Sequence, residues 1–93
     1  MASAYHHRMA TATPGPTPNP DAMRFQLDVT LPETMNFTSA DAAAADAFAA
    51  AVFAAPGVST VFGVNDFVTV TRLPGAEWDP IVTAVQQAAA AHL

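Results

Sequence analysis

Residues Gly57 to Arg72, GVSTVFGVNDFVTVTR, decide the fold of this chain. Two runs rich in β-branched and aromatic residues flank Asn65-Asp66, and both of these residue types are common in tight turns. A two-residue turn at this position predicts an antiparallel hairpin. Counted outward from the turn, its cross-strand pairs are Val64 with Phe67, Gly63 with Val68, Phe62 with Thr69, and Val61 with Val70.

The pairing gives the hairpin two different faces, because successive side chains of a strand point to opposite sides of a sheet. One face is aliphatic and carries Val61, Gly63, Val68 and Val70. The glycine on this face leaves room for a helix. The other face is partly aromatic and carries Phe62, Val64, Phe67 and Thr69. If helices cover only the first face, the second exposes an apolar patch of the kind that often marks a partner site. The alternative is that the N-terminal tail or residues 17–20 cover this patch.

Patterns on both sides of the hairpin predict an α+β fold. Residues 23–29 alternate apolar and polar side chains, which is typical of a half-buried strand, and residues 34–37 form a short second strand after Pro32. The alanine-rich segment after Thr38-Ser39 predicts a helix that includes residues 46–54, with Asp46 as an alternative first cap. Asp79-Pro80 has the preferred order of a cap followed by proline, which predicts the start of a last helix. The order ββαββα indicates two layers, a small and mostly antiparallel sheet with two helices on one face.

The chain is long enough for one domain. Residues 1–16 lack apolar periodicity and contain prolines and a glycine, so we expect a flexible N-terminal tail there and a single domain over 17–93. The domain opens with Thr17-Pro18-Asn19-Pro20, a rigid and extended segment. His6 and His7 are adjacent in the tail, where an ordinary tail is a simpler explanation than a metal site.

Composition excludes several classes of function. The formal net charge is −5, with three arginines and no lysine, so the chain lacks the cationic stripe that nucleic acid or an anionic membrane requires. The longest apolar run, residues 47–58, is shorter than the roughly 20 residues that span a bilayer. The amino terminus does not resemble a secretory signal, so we expect a cytoplasmic setting. With no cysteine, the chain has no disulfide, no thiolate metal site and no cysteine nucleophile.

No arrangement of residues predicts catalysis. The serines and histidines do not fit the spacing of a hydrolytic triad, and Ser39 is better explained as a helix cap. Glu77 and Asp79 are neighbouring carboxylates, but a solvated loop and a helix cap account for them. His92 is favoured by the dipole at the end of the last helix. We therefore expect no catalytic, cofactor-binding or metal-binding residue in this chain.

The order of these segments resembles the N-terminal domain of NifU-like (Nfu) iron–sulfur cluster scaffold proteins over about residues 16–93. The matching pieces are Thr17-Pro18-Asn19-Pro20, Met23-Arg24-Phe25, Phe37-Thr38-Ser39-Ala40, Val52-Phe53, Pro56-Gly57-Val58, Val61-Phe62, Asn65-Asp66-Phe67-Val68-Thr69-Val70-Thr71 and Trp78. Gly63 stands where the family often has an aromatic or other apolar residue, so we expect a thinner apolar patch here.

The resemblance implies an accessory, non-enzymatic role in iron–sulfur cluster assembly or delivery. In the full-length family a separate Cys-x-x-Cys domain binds the cluster. We expect the present domain to stand alone, with no cofactor bound by this chain itself, so that iron or a cluster is reached only through a partner. The expected partner is an iron–sulfur scaffold or an apo-client protein. The candidate partner-binding residues are Thr17, Pro18, Asn19, Pro20, Phe62, Val64, Phe67 and Thr69. Two alternatives remain, an iron-binding protein or metal chaperone that uses Asp, Glu and His, and a small enzyme of unknown chemistry.

Overall fold

The computed structural model describes residues 10–93 and confirms the α+β class. The elements of this part follow the order βββααββα, one strand and one helix more than the sequence predicts. They are β1 (Ala12–Gly15), β2 (Ala22–Leu27), β3 (Met35–Phe37), α1 (Ala40–Ala43), α2 (Ala47–Phe53), β4 (Val58–Val64), β5 (Phe67–Arg72) and α3 (Trp78–His92).

All five strands form one antiparallel sheet in the order β1-β2-β5-β4-β3. The predicted hairpin register is confirmed, because Val64 pairs with Phe67 and the remaining pairs follow in the expected sequence. Asn65 adopts a positive φ of 55°, which an asparagine tolerates better than most residues. A register shift between Val58 and Thr60 ends the regular pairing at the far end of the hairpin.

Strand β1 contradicts part of the predicted tail. Residues 12–15 pair with β2, from Ala12 opposite Leu27 to Gly15 opposite Arg24. Sequence patterning missed this strand because it is short, contains Pro14 and buries only small side chains. Pro14 is tolerated because β1 is the first strand of the sheet and has a partner on one side only. Residues 1–9 of the predicted tail, which include His6 and His7, lie outside the described residues.

The alanine-rich segment forms two short helices rather than one, and each has its own cap. The Ser39 hydroxyl accepts the Ala42 N–H at 3.1 Å, and the Asp46 carboxylate accepts the Ala49 N–H at 2.9 Å. Both caps were candidates in the sequence. The last helix, in contrast, begins at Trp78, so Asp79 lies in its first turn and is not the cap that the sequence predicted.

The helices pack against one face of the sheet. Phe25, Val61, Val68 and Val70 are fully buried on this face. They form one cluster with helical side chains that include Phe48, Val52, Ile81 and Val85. Burial of such side chains contributes roughly 1.5–3 kcal/mol each, so this cluster fixes which face of the sheet is inside.

The position of Gly63 in the structure contradicts two expectations from the sequence, that it leaves room for a helix and that it thins the apolar patch. It lies on the buried face, and a Cβ atom at this position would come within 2.8 Å of Leu31 Cδ1 and 2.9 Å of Met35 Cγ. The space that the glycine leaves is therefore taken by Leu31 and Met35 and not by a helix. Because Gly63 points away from the exposed face, it does not thin the apolar patch there.

Candidate functional site

The side of the sheet that faces away from the helices is called the outer face below. Cross-strand pairing arranges its residues in rows that run across the strands. The central row is Gly15, Arg24, Thr69, Phe62 and Asn36. The row nearest the hairpin turn is Thr13, Gln26, Phe67 and Val64. The four hairpin residues predicted as partner-binding candidates are thus neighbours in two adjacent rows.

Phe62 is the most open apolar residue of this patch. Its side chain is 37% exposed, whereas Val64, Phe67 and Thr69 are half-buried. The Arg24 guanidinium carbon lies 4.0 Å from the centre of the Phe67 ring, a cation–π contact that covers this ring but leaves Phe62 open. Among the strand residues of the outer face that the structure describes, Arg24 is the charged one. The patch is therefore apolar, with one cation beside it.

The TPNP segment, Thr17 to Pro20, forms a tight turn between β1 and β2. The Thr17 hydroxyl lies 2.8 Å from the Asn19 carbonyl oxygen and 2.9 Å from that of Ala22. The Asn19 side-chain oxygen accepts the Asp21 N–H at 2.9 Å, which is an Asx turn. The polar side chains of Thr17 and Asn19 therefore hold the backbone of the turn, and Pro18 and Pro20 are exposed.

A cluster of Asp21, Arg72 and Trp78 fixes the TPNP turn to the rest of the domain. Arg72 Nε lies 3.2 Å from Asp21 Oδ1, and Arg72 Nη1 donates to the Ala76 carbonyl at 2.9 Å. The same guanidinium lies 5.0 Å from the centre of the Trp78 ring, and Trp78 Nε1 donates to the Pro20 carbonyl at 3.3 Å. Sequence reasoning missed this cluster because its members are far apart in the chain. The signal was an aspartate directly after the turn and an arginine at the end of a strand.

The structure does not bring the TPNP turn and the apolar patch together. Ala22, next to the turn, pairs with Thr71, whereas Gln26 pairs with Phe67. The two pairs are four residues apart along β2, which corresponds to about 13 Å. The eight candidate residues therefore fall into two groups, the TPNP turn at one end of β2 and the four hairpin residues in the central row and in the row nearest the hairpin turn.

Ionisable groups are spread over the surface of the described part of the chain. No polar or charged side chain among residues 10–93 is buried, and no group of three His, Cys, Asp or Glu side chains there is placed to hold a metal ion. None of the helices in the same range is long and apolar enough to cross a membrane. The outer face itself is an open surface on which Phe62 is exposed and Val64, Phe67 and Thr69 are half-buried.

Comparison with known proteins places these features in a family. The family model described as scaffold protein Nfu/NifU N terminal matches residues 13–93, which include all of the described strands and helices except the first residue of β1. The chain belongs to the Nfu/NifU N-terminal family. This membership agrees with the resemblance seen in the sequence, and the match includes β1 from Thr13 onward.

Two proteins of Drosophila are similar in sequence to this chain. The chain is 37% identical over 68 residues to a protein of Drosophila persimilis named NFU1 iron-sulfur cluster scaffold homolog, mitochondrial, and the match covers 70% of this chain and 24% of that protein. The protein of the same name from Drosophila grimshawi is 37% identical over 65 residues, which cover 67% and 22% of the two chains. The chain thus spans about a quarter of the length of these relatives.

Solved structures have the same fold. The crystal structure of protein SAV1430 from Staphylococcus aureus is similar at a TM-score of 0.69 and 25% identity, over 81% of this chain and 92% of that one. The solution structure of a NifU-like protein from Saccharomyces cerevisiae matches at a TM-score of 0.71 and 19% identity, over 87% and 76% of the two chains. At that identity the yeast likeness supports the fold alone.

Proposed function

We propose that this chain is a non-catalytic docking module in the assembly or delivery of iron–sulfur clusters. It contacts an iron–sulfur scaffold or an apo-client protein through the outer face of its sheet. The observation that carries the proposal is the open ring of Phe62 in the middle of that face, in a domain of the Nfu/NifU family. Aromatic side chains with exposed apolar surface are the usual anchors of protein interfaces.

The neighbours of Phe62 support a role as a contact surface. Val64 and Thr69 add half-buried area beside it, and Arg24 lies over Phe67 at the same end of the sheet. A partner that covers this patch removes the exposed part of Phe62 from water and reaches one cation at its margin. No carboxylate belongs to the described strands, and the carboxylates nearest in sequence to the patch are Asp66, which precedes Phe67 in the hairpin turn, and Asp28, which follows β2.

Within this proposal the cluster is cargo held by the partner. Cluster irons are normally held by cysteine thiolates, and the sequence has no cysteine. The TPNP turn is a second candidate contact with the partner. Thr17 and Asn19 hold its backbone in place, and Pro18 and Pro20 are exposed at its surface. The names of the Drosophila relatives place those proteins in mitochondria, and the cytoplasmic setting expected for this chain stays a prediction.

Direct binding measurements test the docking surface. The unmodified chain and its Phe62→Asp variant are titrated by calorimetry into a purified Cys-x-x-Cys scaffold domain and into an apo-client of the same organism. A charge in place of the central aromatic ring is expected to weaken binding at least about tenfold, which corresponds to 1.4 kcal/mol. Thr83→Asp is the matched control, because it adds the same charge at an exposed position of α3 on the opposite layer.

The outcome separates docking from a structural role. Circular dichroism first establishes that Phe62→Asp keeps its fold, which is expected for an exposed strand position. If a folded Phe62→Asp binds as tightly as the Thr83→Asp control to both partners, the outer face is not the docking surface. If the unmodified chain binds neither protein, the docking function itself is wrong.

A further inference from the structure

A cleft of about 540 Å³ opens on the edge of the sheet, away from the outer face. The loop of residues 29–34, strand β3 and the start of α2 form its walls. Its apolar lining includes Leu31, Met35, Phe37 and Phe48. Leu31, Met35 and Phe48 are also part of the hydrophobic core, so the floor of the cleft is rigid and continuous with the packed interior. This space is called the β3 cleft below.

Two carboxylates line the β3 cleft, one from the loop before β3 and one from the start of α2. Glu33 is exposed on the loop, and Asp46 is half-exposed at the start of α2. The cap bond to the Ala49 N–H uses Asp46 Oδ1, which holds this carboxylate in a fixed orientation. His92 is the basic side chain in the lining. The cleft therefore combines an apolar floor with an acidic rim.

Strand β3 adds a backbone feature to this site. It is the last strand of the sheet and pairs with β4 along one side. The other side of an edge strand carries backbone groups directed away from the sheet, which are a template for an added extended segment. Met35 and Phe37, two residues apart on β3, both line the cleft, so the cleft lies beside the last strand of the sheet.

We propose that the β3 cleft binds an extended segment of a partner protein that places one large apolar side chain on the floor and a lysine or arginine beside it. The apolar side chain contacts Met35, Phe37 and Phe48. The cation lies between Glu33 and Asp46, where its charge complements the rim. An acidic segment is excluded by repulsion from both carboxylates. The site is distinct from the outer face, so its occupancy does not depend on the docking function proposed above.

A random-peptide selection tests the chemistry of the occupant. A library of displayed seven-residue peptides is selected on the full chain and counter-selected on Ala45→Trp, which places a large ring at an exposed position that lines the cleft. Ala44→Trp is the matched control, because Ala44 is exposed next to it and does not line the cleft. Peptides that bind the unmodified chain and Ala44→Trp but not Ala45→Trp are expected to combine an apolar residue with a neighbouring lysine or arginine. A failure to enrich any such peptide, or enrichment of acidic ones, overturns the proposal.

Removal of charge tests the rim. Binding of the best selected peptide is compared between Glu33→Gln/Asp46→Asn and the control pair Asp41→Asn/Glu77→Gln, which removes two charges elsewhere. Asparagine keeps the cap acceptor at position 46, so α2 remains intact. The rim pair is expected to weaken binding about three- to tenfold, and the control pair to leave it within about twofold. Equal losses for the two pairs would mean that net charge and not the cleft governs binding, and the proposal would be wrong.

Discussion

Gly63 is a residue at which the sheet comes close to Leu31 of the loop before β3. Leu31 and Met35 fill the volume that its side chain would occupy, and they also line the floor of the β3 cleft. An added side chain at position 63 must displace one of them. The cost depends on how far these flexible side chains yield, so it grows with the size of the new side chain.

The prediction for Gly63 is a graded loss of stability. We expect Gly63→Ala to lower the free energy of unfolding by about 1 kcal/mol and Gly63→Val by about 2–3 kcal/mol, because overpacking of a buried site typically costs this much. Urea denaturation followed by circular dichroism measures both. A valine variant as stable as the unmodified chain would show that Leu31 and Met35 do not constrain this position.

A second residue-scale prediction concerns the hairpin turn. Asn65 has a φ of 55°, in the left-handed region that costs most side chains roughly 1 kcal/mol or more. We expect Asn65→Ala to destabilise the domain by about 1 kcal/mol and Asn65→Gly to leave its stability nearly unchanged. Asp66→Ala is the control at the neighbouring turn position, which is not among the positive-φ residues. If Asn65→Ala and Asn65→Gly have equal free energies of unfolding, the turn does not depend on this backbone conformation.

At the scale of elements, the sequence predicted the hairpin, whose two strands are neighbours in the chain, but not the break between α1 and α2 or strand β1. The turn at Asn65-Asp66 fixes the register of β4 and β5, so the sequence alone predicted the four pairs from Val64–Phe67 to Val61–Val70. The division of the alanine-rich segment into α1 and α2 was not predicted, because a run of alanines has the same helix propensity throughout and no periodicity that marks a break. Strand β1 was missed for a different reason, since its pairing with β2 is a tertiary contact that leaves no alternating pattern in ATPG.

The joint between the TPNP turn, β5 and α3 gives a prediction at this scale. We expect Arg72→Ala to lower the free energy of unfolding by about 1–2 kcal/mol, because it removes the hydrogen bond to Ala76, the contact with Asp21 and the contact with Trp78. Trp78 is the single tryptophan of the chain, so its fluorescence reports on this joint alone. We expect its emission to shift to the red as the ring becomes more exposed.

The matched control for the joint is Arg24→Ala. It also removes an arginine that lies over an aromatic ring, but this ring is Phe67 and not Trp78. This variant should leave the tryptophan emission unchanged. An identical emission spectrum for Arg72→Ala and the unmodified chain would contradict the assignment of Arg72 as the residue that fixes the TPNP turn.

At the scale of the whole molecule, the chain separates its surfaces by chemistry. The outer face is nearly uncharged, whereas carboxylates lie on loops and helix starts, two of them on the rim of the β3 cleft. The patch around Phe62 was predictable from the sequence, because strand alternation alone places its residues on one side. The cleft was not, since Leu31, Met35 and Phe48 come from a loop, a strand and a helix, and alternation within each element does not show that they meet.

The proposed docking of an iron–sulfur scaffold or client on the outer face of this Nfu/NifU N-terminal domain can be tested directly. The most direct measurement is a titration of a purified Cys-x-x-Cys scaffold domain into the 15N-labelled full chain, followed by the amide NMR shifts. The account predicts saturable shifts that cluster at Phe62, Val64, Phe67 and Thr69 and spare α2 and α3. Shifts confined to the helices, or none on titration with both the scaffold and an apo-client, would contradict it.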